Sequence, residues 1–244
     1  IISAFAPVKD VRETLTPELK SAGSTLLLLE LQESARRLGG SIAQQVLGAL
    51  GGTCPDVGDY PALERLWSWL QDQTVRSSIR SLHDRSDGGL IATVSEMMFA
   101  GGKGVMLEMA ESEALNPFLF NEELGVVVEV DSGAVSPLLE SLEGTGIRAI
   151  QVGSVSSDPR LTITQGASVV FESDLSQLRK SWSSVSYEIA KRRDHPEAAA
   201  SEFALETSIE PPELTLDVAP NLLTLAAPHI RGEVKPRVAI LREQ

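Results

Sequence analysis

The sequence predicts an α+β protein, a layered α/β sandwich of helices on a sheet. Three observations lead there. Apolar runs of strand length, such as STLLLLEL (24–31) and ELGVVVEVD (123–131), recur along the chain. Segments with apolar residues at helical spacing lie between them, and the two kinds of element are mixed in order. The chain has 244 residues, 42% hydrophobic and 23% charged, which is ordinary for a globular protein with a sizeable core.

STLLLLEL reads as a strand. GGSIAQQVLGALGG (39–52) reads as a helix bracketed by glycines, and YPALERLWSWLQDQTVRSSIRSL (60–82) as a longer one with Leu63, Leu66, Trp67 and Leu70 at helical spacing. Trp67 and Trp69 lie on that amphipathic helix with no basic partners, which points to packing. After the loop HDRSDGG come a helix over 88–100 and strands at KGVMLEMA (103–110) and ELGVVVEVD. VSPLLESLEGTG (135–146) reads as a helix closed by glycine, and IRAIQVGSV (147–155) as a strand. RLTIT (160–164) and SVVFES (168–173) form a hairpin, followed by a helix over 174–193.

From 194 the pattern gives way to a segment rich in Pro, Glu and Ala. The expected organisation is a globular domain over 1–193, a linker over 194–236, and, at 237–244, the first strand of a further domain. A start without Met, at IISAFAPVKDV, and an end at PRVAILREQ read as a piece of a longer protein.

A formal charge of −13 argues against general nucleic-acid binding, which rests on clustered Lys and Arg; the basic run KRRDH (191–195) is short and sits at a helix end. No apolar run approaches the roughly 20 residues of a membrane helix. The single cysteine, Cys54, excludes an internal disulfide and a cysteine-rich metal site, and points to a reducing, cytoplasmic compartment. No histidine neighbours it, so it reads as structural.

The stretch SLHDRSDGGLIATVSEMMFAGG (81–102) carries the chemistry. Leu90, Ile91, Val94, Met97 and Met98 form one apolar stripe, so a helix begins near Gly88 and the loop is its N-terminus. Ser86 or Asp87 can cap it, and Gly88 and Gly89 open the backbone to close approach by an anion. A cap alone does not require two glycines, each of which costs about 1 kcal/mol relative to Ala inside a helix. Asp84 and Asp87 would repel a phosphate unless a divalent cation bridged them, so the loop predicts a nucleotide phosphate held through Mg²⁺. The plainer alternative is a helix cap and a turn with no ligand. His83 could contact phosphate or serve as a buried hydrogen-bonding residue; as a general base it shows no sequence partner, which favours the second reading.

LHDRSDGGLIATVSEMMFAGGKGV, with LGGSIAQQVLG before it and FNEELGVVVEV after it, resembles the second synthetase-like half of the phosphoribosylformylglycinamidine synthase family, in its large glutamine-dependent form. The fold implied is that of the C-terminal domain of aminoimidazole ribonucleotide synthetase-like enzymes. The activity implied is an ATP-dependent ligase of purine biosynthesis, converting formylglycinamide ribonucleotide and glutamine to formylglycinamidine ribonucleotide. The resemblance implies that HDRSDGG contributes to an auxiliary Mg²⁺-nucleotide site for ATP or ADP, with Asp84 as a Mg²⁺ ligand and Ser86 on the nucleotide phosphate. It implies as partners the N-terminal synthetase-like halves and the C-terminal glutaminase domain of the same polypeptide, without which this piece is inactive. A docking module with no ligand of its own stays open beside it.

Overall fold

The computed structural model describes residue 8 and residues 10–209. The apolar run near the N-terminus becomes the centre of the fold. β1 (Thr25–Leu31) is buried along its whole length because both of its faces are covered. Leu26 and Leu28 enter one core, Leu27 and Leu29 the other, as the two-residue period of a strand requires. A continuous apolar run is the signature of such a doubly covered strand.

Around it lie β2 (Ile79–Asp84), β3 (Gly104–Met109), β4 (Gly125–Val130), β5 (Ile147–Ser156), β6 (Arg160–Gln165) and β7 (Ser168–Asp174), in the order β2-β4-β1-β5-β3-β6-β7. All neighbours are antiparallel except β3 and β6. The helices are α1 (Ile42–Val46), α2 (Tyr60–Gln71), α3 (Gln73–Ser78), α4 (Gly89–Gly101), α5 (Leu115–Phe120), α6 (Val135–Ser141), α7 (Leu175–Arg193) and α8 (Pro196–Glu206). Residues of α4, α5 and α7 fill the core on one face of the sheet; residues of α2, α3 and α6 fill the other. This mixed sheet with helices on both faces is the α+β sandwich that the sequence predicts. Among the described residues no helix is long and apolar enough to cross a membrane.

Four elements differ from the sequence reading. The helix expected over 60–82 is three elements. Asp72 takes an extended backbone, ends α2, and accepts from the N–H groups of Thr74 and Val75 to start α3. Ile79 and Ser81 then alternate inward as β2, paired to β4. Within α2 the buried face is Ala62, Leu66 and Leu70; Trp67 is 65% exposed, while Trp69 donates to Ser141 Oγ at 2.9 Å. The helix expected over 39–52 contracts to α1, and α5 was missed because its six residues carry too short a pattern.

The fourth difference lies in the expected linker. Pro196 opens α8, which lies on α7: Tyr187 and Phe203 stack with ring centroids 4.3 Å apart, Ser183 donates to Glu206 at 2.6 Å, and Ala199 is buried. Arg179 clamps the end of that helix pair through the carbonyls of Ser208 and Phe99. The domain therefore reaches past 193. The rest of the expected linker and the strand expected at 237–244 lie outside the described residues.

Candidate functional site

β2 delivers the loop. Its last two residues, His83 and Asp84, pair with Val127 and Val126 of β4, and the Arg85 N–H donates to the Gly125 carbonyl at 2.8 Å. The inside-outside alternation of a strand then continues through the loop: Asp84 is exposed, Arg85 buried, Ser86 exposed. The helix that follows starts one residue later than expected, with Gly88 as N-cap at φ 83°.

The structure brings Asp84, Ser86, Gly88 and Gly89 into one short turn, and it revises two expected details. Neither Ser86 nor Asp87 caps α4, which has no side-chain cap hydrogen bond; Gly89 N–H instead donates to the Ser86 carbonyl at 3.0 Å. The two glycine amides are not open, because Gly88 N–H donates to Glu122 Oε1 at 2.9 Å. That same oxygen accepts from Ile42 N–H at 2.8 Å, so one carboxylate ties the GGSI loop to the SDGG loop. The glycines serve backbone geometry: Gly89 sits at φ 72°, and a Cβ there would lie 2.7 Å from the carbonyls of Leu119 and Asn121.

His83, for which the sequence shows no partner, has a carboxylate beside it. Its Nε2 lies 3.1 Å from Glu96 Oε2 on α4, and its Nδ1 lies 2.8 Å from the Asp84 carbonyl and 3.3 Å from Asp84 Oδ1. The imidazole thus links β2 to α4 and steadies both the backbone and the carboxylate of Asp84. Glu96 falls one position off the apolar stripe of α4, a signal visible only once the helix is placed against β2.

Beneath the loop runs a buried charge network. Arg85 Nη1 and Glu30 Oε2 form an ion pair at 2.9 Å with both side chains fully buried; the contact is close in distance but outside hydrogen-bond angles, so neither atom has a hydrogen bond. Burial pulls the Arg85 guanidinium below the usual arginine range, and Glu30 pulls it back up. The other Glu30 oxygen accepts from Arg148 Nε at 3.0 Å. Arg85 Nε donates to the Glu123 carbonyl at 2.7 Å. Arg37 grips the Glu123 carboxylate with Nε at 2.6 Å and Nη2 at 2.8 Å.

Burial raises the Glu123 carboxyl, but the side-chain and backbone hydrogen bonds from Arg37 outweigh it and hold the group below the usual carboxylate range. A carboxyl lowered by folding contributes stability that is present above its unfolded value and lost as pH falls through the lowered one. Acid unfolding is therefore expected to steepen below the ordinary glutamate range, and Glu123→Gln to flatten that limb. Equal acid limbs in urea titrations of the two proteins would contradict the assignment.

Asp84, 70% exposed on its side chain, can offer oxygen to a hard cation. Among the described residues no three His, Cys, Asp or Glu side chains gather as a metal site. The lone Asp84 carboxylate is a donor of the kind Mg²⁺ takes, since that ion keeps several waters and binds one or two carboxylates together with phosphate oxygens.

Residues 21–166 match the family described as AIR synthase related protein, C-terminal domain, over more than half of the chain. Among solved structures, Thermotoga maritima PurL complexed with ATP aligns with a TM-score of 0.56 at 16% identity, over 69% of this chain and 27% of that one. Phosphoribosylformylglycinamidine synthase II from Thermotoga maritima aligns with a TM-score of 0.54 at 15% identity, over 69% and 28%. PurLQS from the same organism gives 0.54 at 14%, over 68% and 27%. The chain thus spans about a quarter of the length of these proteins. With its family match lying on the same strands and helices that carry the loop, the chain belongs to the AIR synthase related proteins through their C-terminal domain.

Proposed function

We propose that the chain supplies part of a Mg²⁺-nucleotide site to an ATP-dependent ligase of purine biosynthesis. In this reading the ligase is the large glutamine-dependent phosphoribosylformylglycinamidine synthase, acting in the cytoplasm. The observation that carries the reading is the state of the loop. Asp84 and Ser86 face solvent, and among the described residues the side chains of Ser86 and Asp87 hydrogen-bond to nothing, so the plain helix-cap alternative has no bonds to rest on. The fold shared with a PurL complexed with ATP supports it.

In this reading Asp84 ligates Mg²⁺, and Ser86 donates its hydroxyl to a phosphate oxygen. The left-handed Gly88-Gly89 backbone shapes the turn that carries Asp84 and Ser86, with Gly89 packed against the carbonyls of Leu119 and Asn121. Bound there, Mg²⁺ would neutralise phosphate charge. Glu122 holds the turn in place, His83 steadies Asp84, and the net charge of −13 makes the cation a requirement for phosphate to approach. The remaining ligands, the substrate contacts and the glutaminase chemistry come from the rest of the polypeptide, which is why this piece alone is expected to be inactive.

The test is Asp84→Ala with Ser86→Ala in the full-length protein. Nucleotide content after purification is expected to fall together with synthetase activity, while the secondary structure stays intact. Full activity with normal nucleotide content would remove the site and leave a docking module.

A further inference from the structure

Arg85 makes contacts out of proportion to a loop residue. From one position it meets three successive carbonyls: its N–H donates to Gly125 at 2.8 Å, its Nε to Glu123 at 2.7 Å and its Nη2 to Leu124 at 3.4 Å. Its Nη1 faces Glu30 Oε2 at 2.9 Å on the central strand. We propose that Arg85, charge-paired with Glu30, is a positioning residue that fixes the outward direction of Asp84 and Ser86. The proposal rests on the Mg²⁺-nucleotide reading of the loop.

Moving the Arg85 side chain is costly. Swinging the guanidinium out to solvent would leave the Glu30 Oε2 side of a carboxylate buried on β1 facing no ion-pair partner among the described residues, with Arg148 held on Oε1 and Arg36 acting only at a distance, and breaking one arm of a buried charge network is destabilising. The Arg85 rotamer is therefore locked. In extended backbone a locked inward residue forces both of its neighbours outward. Stability alone does not call for this device, since an apolar pair of similar volume often serves a core as well or better. What the ion pair adds is direction, because the planar fork can reach Glu30 and two carbonyls at once. A lysine could satisfy one of these and not the others. Glu122 on Gly88 N–H and the packing of Gly89 on the carbonyls of Leu119 and Asn121 pin the far end of the same turn.

The experiment uses the full-length protein and measures Mg²⁺·ADP affinity by calorimetry beside thermal melting without nucleotide. Arg85→Met with Glu30→Leu removes both charges together and is expected to melt close to the unaltered protein, yet to bind Mg²⁺·ADP at least about tenfold more weakly, the scale on which residues behind a metal ligand act. Arg85→Lys, which keeps the charge and loses the fork, is expected to weaken binding likewise, and keeps the proposal falsifiable if the double variant fails to fold. Asp84→Asn is the control. Weak binding by Asp84→Asn beside full affinity in either Arg85 variant would overturn the positioning role. Full affinity in Asp84→Asn would overturn the nucleotide reading itself, and the proposal with it.

Discussion

Glu129→Ala is expected to lower stability by about 3–5 kcal/mol. Glu129 is fully buried on β4, yet among the described residues it forms no ion pair, with Arg80 acting on it only at a distance: it accepts from the N–H groups of Lys20 at 2.8 Å and Ser21 at 2.9 Å, and from Ser24 Oγ at 2.6 Å and Ser81 Oγ at 2.9 Å. Four donors satisfy one carboxylate. They come from the segment before β1 and from β2, so the residue stitches the entry of the chain to two strands. Removing it strands two backbone N–H groups away from water, the part of the loss that no rotation can repair. The Ser24 hydroxyl keeps the Ser21 carbonyl as a second partner, which limits its share. Urea unfolding measures the effect, with Glu129→Gln expected to lose less because it keeps one acceptor oxygen. A loss below about 1 kcal/mol for Glu129→Ala would show that water replaces the carboxylate.

Gly89→Ala is expected to cost about 2–4 kcal/mol, the sum of a left-handed backbone forced on a residue with a Cβ and of overpacking. At φ 72° the new methyl would lie 2.7 Å from the carbonyl oxygens of Leu119 and Asn121 and from the carbonyl carbon of Phe120. These are backbone atoms held by α5 and cannot rotate aside. Gly88→Ala makes the contrast. Its φ of 83° carries the same strain, but the methyl would meet a single rigid atom, Ala92 Cβ at 2.8 Å, where that of Gly89 meets three backbone atoms. It is therefore expected to cost about half as much, on the order of 1–2 kcal/mol. Thermal melting of the two variants isolates the extra cost of the α5 carbonyl clash. Equal losses would mean that the α5 carbonyls yield, and that Gly89 is needed only for its φ.

Most strands could be read directly from the residues. STLLLLEL, ELGVVVEVD and IRAIQVGSV carry patterns that burial on one or both faces enforces, and each lies within a residue or two of its observed bounds. The helix over 174–193 was equally plain, since α7 begins where Asp174 caps it. The run 60–82 misled because Ile79, Leu82 and the helical stripe before them fit a 3.6-residue period as well as a 2-residue one. Pairing with β4, a partner more than 40 residues away, decides between them. α8 was hidden by composition: alanines and a glutamate look like a linker until α7 provides a face for Ala199 and Phe203.

Within the candidate site, the turn that gathers Asp84, Ser86, Gly88 and Gly89 before α4 was legible because turn geometry is local. The residues that hold them were not. Glu30 lies inside the apolar run read as a strand, and its partners are 55 positions along the chain at Arg85 and farther still at Arg148, so nothing local marks the pairing. Glu122, Glu123 and Glu96 likewise act across the fold on groups that no spacing rule connects.

The central claim is that Asp84 and Ser86 meet a Mg²⁺-bound nucleotide. It is tested most directly by a crystal structure of the full-length protein grown with ADP and Mn²⁺, a hard divalent cation with oxygen preferences like those of Mg²⁺. The account predicts an anomalous peak about 2.1–2.2 Å from an Asp84 carboxylate oxygen, with a phosphate oxygen in hydrogen-bond reach of Ser86 Oγ. Nucleotide and metal bound elsewhere, with Asp84 and Ser86 facing only water, would contradict it.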